Sequence, residues 1–442
     1  MIILYLLLSI VLIILLTVRL KVHPFIALFL VAILYGFCAG MPFKEIITSI
    51  NTGFGETLGK IGLIIVLGII IGVFLENSGG AYALAEKVLR LTGKKRVPTA
   101  MGIIGYIVSI PVFADSGFLL VSALNKGLSK KAGITLASSA IALALGLIAS
   151  HTMVPPTPGP IAAAGILGAD LGLVLLIGIP ISALSVIPAL IFANKYASKT
   201  FIDPNPDLDE SDIDQRLQDA PGAFKSSLPI IVPIILIVLK SIITTRGAND
   251  NIFITFISFI GEPVMALLIG MFLAFLLPKK FDYDMLSTTG WVGNAMKDAA
   301  SIILITGAGG IFGKMLQNSG IADLLGATLS SINLSIWLPF LISTAIKTAQ
   351  GSSTVALITT ASIMLPMMGS LGFDSELEKA IVVIAIGAGS AMVSHANDSF
   401  FWVVTQMSGM DVKTGYRLLS FGTLVLGISA AIILFIAYLL LA

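Results

Sequence analysis

The chain has 442 residues, with 26 Lys and Arg against 24 Asp and Glu, and a formal net charge of +2. Apolar residues supply 57% of it and charged residues 11%, against about 25% charge in an ordinary soluble domain. A chain this apolar must be solvated by lipid, which excludes a secreted domain, a disordered chain and a nucleic-acid binder. Cys38 is the sole cysteine, so no internal disulfide or thiolate cluster can form, and neither metal nor cofactor is expected.

The first apolar run, 2–18, has no basic residue ahead of it and no small-residue cleavage site behind it. It reads as a retained span, not a signal peptide. Further spans of the roughly 20 residues that cross a bilayer are expected at 24–40, 61–77, 134–168, 171–193, 228–245, 252–277, 298–317, 380–410 and 418–441. The pattern predicts an all-α polytopic membrane protein. His23, beside Lys21 in the first short turn, reads as structural.

Two stretches, 97–125 and 336–368, are too long for one crossing and too short for two. Lys94, Lys95 and Arg96 precede the first, and Lys126, Lys130 and Lys131 follow it. The positive-inside tendency puts both clusters in the cytoplasm. The stretch therefore enters and leaves on one face and turns at Ala114-Asp115-Ser116-Gly117. Such a re-entrant hairpin survives at membrane depth when protein buries it. Threading onward places both termini and the acidic loop 369–379 outside, so the second hairpin enters from outside. Segment 194–227 carries Asp203, Asp207, Asp209, Glu210, Asp212, Asp214 and Asp219 against Arg216. It reads as a solvated cytoplasmic linker between 1–193 and 228–442.

Those two halves match. Leu75-Glu76-Asn77-Ser78-Gly79 recurs as Leu316-Gln317-Asn318-Ser319-Gly320, an offset of 241, and Gly68 and Gly72 match Gly309 and Gly313. Ser150-His151 recurs as Ser394-His395 at 244. Each half holds five spans and a hairpin, and the halves begin on opposite faces. This is an inverted repeat, an architecture of secondary transporters.

Four backbone breaks fall at matching places. Asp115 or Ser116 is expected to cap the returning arm of the first hairpin. In the fourth span, His151-Thr152-Met153-Val154-Pro155-Pro156-Thr157-Pro158-Gly159-Pro160 cannot stay helical, because prolines remove donors and clash with the preceding turn. Thr157-Pro158 suits a helix restart. Gln350-Gly351-Ser352-Ser353-Thr354 gives a turn and caps in the second hairpin, and Ser394-His395-Ala396-Asn397-Asp398-Ser399 interrupts the ninth span. Each restart presents free N–H groups and about half a positive charge, so four near the midplane predict a carboxylate site. Candidate substrate contacts are Asp115, Ser116, Gly117, Thr157, Gly159, Gln350, Gly351, Ser352, Ser353, Thr354, Asn397 and Ser399. Asp115, His151, His395 and Asp398 are candidate proton carriers, since ionisable groups at membrane depth default to function. Lys347 either pairs with a nearby acid or draws in the anion. Glu76 and Gln317 read as caps at span ends.

The proline motif, followed by Gly168-Ala169-Asp170-Leu171-Gly172, resembles the signature of the gluconate permease family. Glu76-Asn77-Ser78-Gly79-Gly80-Ala81 and Val22-His23-Pro24-Phe25 are similar too. The resemblance implies proton-coupled uptake of gluconate and related hydroxy acids by a protein of the ion transporter superfamily. It also implies an elevator movement, a homodimer and the bacterial inner membrane. Thr157 stands where the family tends to carry a second histidine, and the hairpin turn is Asp115-Ser116-Gly117 where it tends to be acidic–aliphatic–glycine. These departures keep a smaller hydroxy acid, such as glycerate or 3-hydroxybutyrate, as an alternative. Carbonyls of unwound spans keep sodium coupling as another. No zinc-protease, nucleophile-elbow or phosphate-loop motif occurs, and the chain is expected not to be an enzyme.

Overall fold

The computed structural model describes residues 2–92, 96–204, 220–245, 252–320 and 335–441. Lys94, Lys95 and the linker residues Asp207, Asp209, Glu210, Asp212, Asp214, Arg216 and Asp219 lie outside them. All regular structure among the described residues is helical. The first half runs α1 (Ile2–Ile14, continued by a π-helical turn to Arg19), α2 (Pro24–Cys38), α3 (Phe43–Asn77), α4 (Gly80–Thr92), α5 (Val97–Val108), α6 (Ala114–Lys131), α7 (Leu136–Met153), α8 (Pro158–Leu167) and α9 (Leu171–Lys195). The second runs α10 (Ala223–Thr245), α11 (Ile252–Ile260), α12 (Pro263–Phe275), α13 (Trp291–Asn318), α14 (Trp337–Gln350), α15 (Ser353–Met364), α16 (Glu376–Ser390), α17 (Ser399–Met407), the short α18 (Val412–Gly415) and α19 (Phe421–Leu441).

Six described helices are long and apolar enough to cross a bilayer, or seven if α11 and α12 count as one span. The chain is thus a polytopic membrane protein, as its composition requires. Several expected spans differ in detail. The run 252–277 bends by 66° between α11 and α12, where Gly261 and Glu262 precede Pro263 at the first helical position. The run 380–410 is divided between α16 and α17, and 61–77 is the last part of the 35-residue α3. His23 caps α2, accepting from the Phe25 amide at 3.3 Å.

The centre of the molecule is α7, every residue of which is buried. Small residues let neighbours approach it and each other. A Cβ on Gly146 would strike the Gly102 carbonyl of α5, and one on Gly389 of α16 would strike the Phe340 carbonyl of α14. Ser343 of α14 adds a hydrogen bond to the Ile386 carbonyl at 2.7 Å. α3 and α13 cross at Gly53 and Gly310. Gly68 and Gly72 of α3 face the Pro156 and Pro111 carbonyls, so α3 seats both breaks of the first half. Gly309 and Gly313 of α13 face Ile358, Ser362 and Leu365 on and just after α15. By contrast α1, α11 and α19 expose Leu7, Val11, Phe253, Phe256, Ile432 and Ile436, the surface that lipid solvates.

Candidate functional site

Five local decisions build the site. Proline leaves α7 no continuation past Met153, so α7 stops with His151 in its last turn. The chain turns at Ser109–Phe113, with the Ser109 hydroxyl holding the Val112 carbonyl at 3.0 Å, and α6 begins at Ala114. Gly351, at φ 92°, takes the left-handed conformation that ends α14, and a Cβ there would strike the Asn397 carbonyl. Ser352 then caps α15, its hydroxyl accepting from the Val355 amide at 3.3 Å. Asp398 caps α17 through the Phe400 amide at 3.1 Å.

The starts of α6, α15 and α17 meet at a cavity of about 290 Å³ whose walls include Asp115, His151, the run Gln350–Thr354 and Asn397–Ser399. Phe113, Ile148 and Phe400 complete it as apolar walls. Among the described residues, Lys347 lies immediately behind this lining. Its ammonium donates to Asp398 Oδ2 at 2.6 Å and to the Gly351 carbonyl, with side-chain exposures of 2% for Lys347 and 7% for Asp398. Ser394 also donates to Asp398 Oδ2, at 2.6 Å. Asp398 thus ties α14, the α14–α15 tip and the start of α17 into one unit.

Asp115 is held differently. Ser399 donates to its Oδ2 at 3.3 Å, while its Oδ1 is buried without a hydrogen-bond partner. His151 Nδ1 is likewise buried and unpartnered. Of the six buried side-chain polar atoms without a protein partner among the described residues, these two lie on the walls of this one cavity. With Lys347 paired to Asp398, the electropositive groups left at the cavity are the helix starts, where amides at the first turn have no intrahelical acceptor.

The expected residues divide. Asp115, His151, Gln350, Gly351, Ser352, Ser353, Thr354, Asn397, Asp398 and Ser399 come together on the cavity. Ser116, Gly117, Thr157, Gly159 and His395 are not on its walls. Thr157 does precede Pro158 at the start of α8, but it makes no side-chain cap, and its hydroxyl donates to the Val154 carbonyl at 2.6 Å. Gly159 packs on Leu357 and Thr354. Neither Asp115 nor Ser116 caps α6, whose cap position is Phe113 with no side-chain bond. His395 Nε2 lies 2.6 Å from the Thr348 carbonyl, and its ring stacks on Tyr416. Asn397 donates to the Thr348 and Ala349 carbonyls at 3.0 and 2.9 Å, closing the end of α14. Of the apolar walls, Ile148 had a legible signal: it lies one helical turn before His151 on the same face.

A family profile described as GntP family permease matches residues 1–440. The chain is 34% identical over 414 residues to a gluconate permease of Pseudomonas aeruginosa, covering 91% of this chain and 90% of that one. It is 34% identical over 439 residues to the inner membrane permease YgbN of Escherichia coli, covering 96% of each. It is 32% identical over 429 residues to the D-serine transporter DsdX of Escherichia coli, covering 96% and 95%. A crystal structure of the YdaH transporter of Alcanivorax borkumensis matches with a TM-score of 0.65 over 93% of this chain and 97% of that one, at 14% identity, a likeness of fold.

Proposed function

The chain belongs to the GntP family of permeases, transporters and not enzymes, and on that premise we propose that it couples the uptake of gluconate or a related small hydroxycarboxylate to protons. The observation that carries this reading is the cavity where three helix starts converge around an Asp115 carboxyl with an unpartnered oxygen. The N–H groups of α15 and α17 hold the substrate carboxylate. Hydroxyls of Ser352, Thr354 and Ser399 and the Gln350 amide meet the substrate hydroxyls. Asp115 carries the proton, because protonating it removes its repulsion of the bound anion and so links the two binding events.

The same reading takes the molecule as an inverted repeat in a bacterial inner membrane, its halves joined by a cytoplasmic linker. Two helix ends support the repeat. After α3 and after α13 the chain stops at a serine followed by a left-handed glycine, Gly79 at φ 78° and Gly320 at φ 73°. α5 and α15 have 12 residues each, about 18 Å of helix, against a hydrocarbon core of about 30 Å. Re-entrant pairs α5–α6 and α14–α15 account for that shortfall. An elevator movement within a homodimer follows from the family resemblance.

A proteoliposome uptake panel of gluconate, glycerate, 3-hydroxybutyrate and D-serine, under imposed proton or sodium gradients, tests the proposal. Saturable accumulation of one of the three hydroxy acids driven by the proton gradient supports it. Uptake that ignores pH and follows sodium overturns the coupling, and uptake of D-serine alone overturns the substrate class.

A further inference from the structure

A second cavity, of about 270 Å³, is bounded by Glu56, Thr57 and Lys60 of α3, Lys314 and Gln317 of α13, and the last turn of α8. Its place follows from the packing of α8 on α15. Gly159 lies beside Thr354 near the two helix starts, while Ile166 and Ser362 both approach Gly309 near their ends. The helices therefore run side by side in the same direction, with the first cavity at the start of α15 and the second at the end of α8. About ten residues, or roughly 15 Å of helix, separate them.

The charges of this cavity do not cancel. Lys314 approaches Glu56 at 3.7 Å, beyond hydrogen-bond distance, and the Glu56 side chain is 57% exposed. Lys60 has no ion pair or hydrogen bond among the described residues. Lysines near helix ends also complement the backbone carbonyls there. Yet neither lysine donates to a carbonyl of α8 among the described residues, so Lys60 keeps its ammonium free of protein partners there and Lys314 has only the long ion pair to Glu56. Two cations against one half-screened carboxylate leave an excess positive charge beside polar Gln317 and Thr57.

We infer that this cavity is a second anion site, a vestibule that takes the carboxylate of a small hydroxy acid between Lys60 and Lys314. It rests on the transport reading above. The nearly equal volumes, 270 and 290 Å³, accommodate the same solute. Gln317 and Thr57 face its hydroxyls. With the loop charges read as above, the vestibule opens to the outside, and an anion steered there is concentrated at the entrance to the path. A phosphate-bearing lipid headgroup presents a similar charge, and the test separates the two sources.

The thiol introduced by Gln317→Cys, in a Cys38→Ser background, reports on the cavity without requiring transport. Its modification rate is measured with an anionic and a cationic methanethiosulfonate of equal size, in vesicles of zwitterionic lipid with and without phosphatidylglycerol. The anionic reagent should react faster, and millimolar gluconate should slow it. Lys60→Gln with Lys314→Gln should remove about tenfold of the anionic preference and the protection. Thr57→Cys carries the same measurement if Gln317→Cys does not reach the membrane. Equal rates for the two reagents, or protection by phosphatidylglycerol but not by gluconate, overturn the inference. Charge-selective, gluconate-protected labelling in a protein that transports nothing from the panel overturns the transport reading and leaves the site standing.

Discussion

Replacing Lys347 by methionine keeps the length of a buried side chain and deletes its charge. The ammonium it removes serves both Asp398 Oδ2, at 2.6 Å, and the Gly351 carbonyl. Asp398 would keep Ser394 and the Phe400 amide but no counter-charge. Breaking a buried pair by removing one partner costs about 3–5 kcal/mol, because the other charge is left uncompensated. At roughly 2 °C per kcal/mol for a large chain, Lys347→Met should lower the melting temperature of the purified protein by about 6–10 °C. Asp398→Leu alone should cost a similar amount by stranding the lysine. The double substitution Lys347→Met with Asp398→Leu leaves no stranded charge. It should be at least about 3 kcal/mol more stable than the sum of the two losses, read as coupling in a double-mutant cycle. Additive losses would refute the claim that this pair holds the α14–α15 tip to α17.

Four further outcomes follow from the same contacts. Asp115→Asn should abolish proton-driven accumulation in proteoliposomes while sparing exchange of substrate at equal pH; retained uphill uptake would move the proton to His151. Ser352→Ala removes the cap of α15 and should cost about 0.5–2 kcal/mol of stability, with a severalfold loss of apparent affinity, whereas Thr157→Ala, outside the cavity, should leave affinity within twofold in the same uptake titration. Gly146→Ala forces a methyl against the Gly102 carbonyl and should destabilise by about 1–3 kcal/mol, seen as a lower melting temperature. In the loop ahead of α16, the Ser375 backbone amide, with the Ser375 hydroxyl and the Asp374 amide, holds the Glu378 carboxyl below the usual glutamate range. That stabilisation is present above the ordinary glutamate pKa and is lost as pH falls through the lowered one, so Glu378→Gln should flatten the acid limb of a melting-temperature profile.

The breaks were the most legible feature, because proline and glycine act locally. Pro155, Pro156 and Pro158 end α7 and start α8 whatever surrounds them, and Gly351 turns between α14 and α15 for the same reason. Capping was less legible. Serine, threonine and aspartate compete for nearby backbone groups, and sequence does not say which group wins. Ser352 and Asp398 bond forward to amides, but Thr157 bonds back to a carbonyl, and α6 begins without any side-chain cap. The bend between α11 and α12 was missed because an apolar run of 26 residues, 252–277, counts as one span.

The two Ser-His pairs of the sequence also part company, and the cause is tertiary. His151 sits inside α7, but its partner in sequence, His395, lies past the end of α16. α16 stops at Ser390, and Val393 adopts φ 36°, a conformation β-branched residues avoid. The backbone is held there by the Ser394 amide donating to Thr423 at 3.0 Å and by Ser420 donating to the Ser394 carbonyl at 2.5 Å. Both partners are far away in sequence, so spacing alone cannot reveal them. The consequence is an asymmetric site. The first half supplies an acid and a histidine with unpartnered atoms, Asp115 and His151. The second supplies two helix starts braced by a neutralised ion pair. An acid with an unpartnered oxygen and two helix starts thus face one another across a single cavity, although they come from opposite ends of the chain.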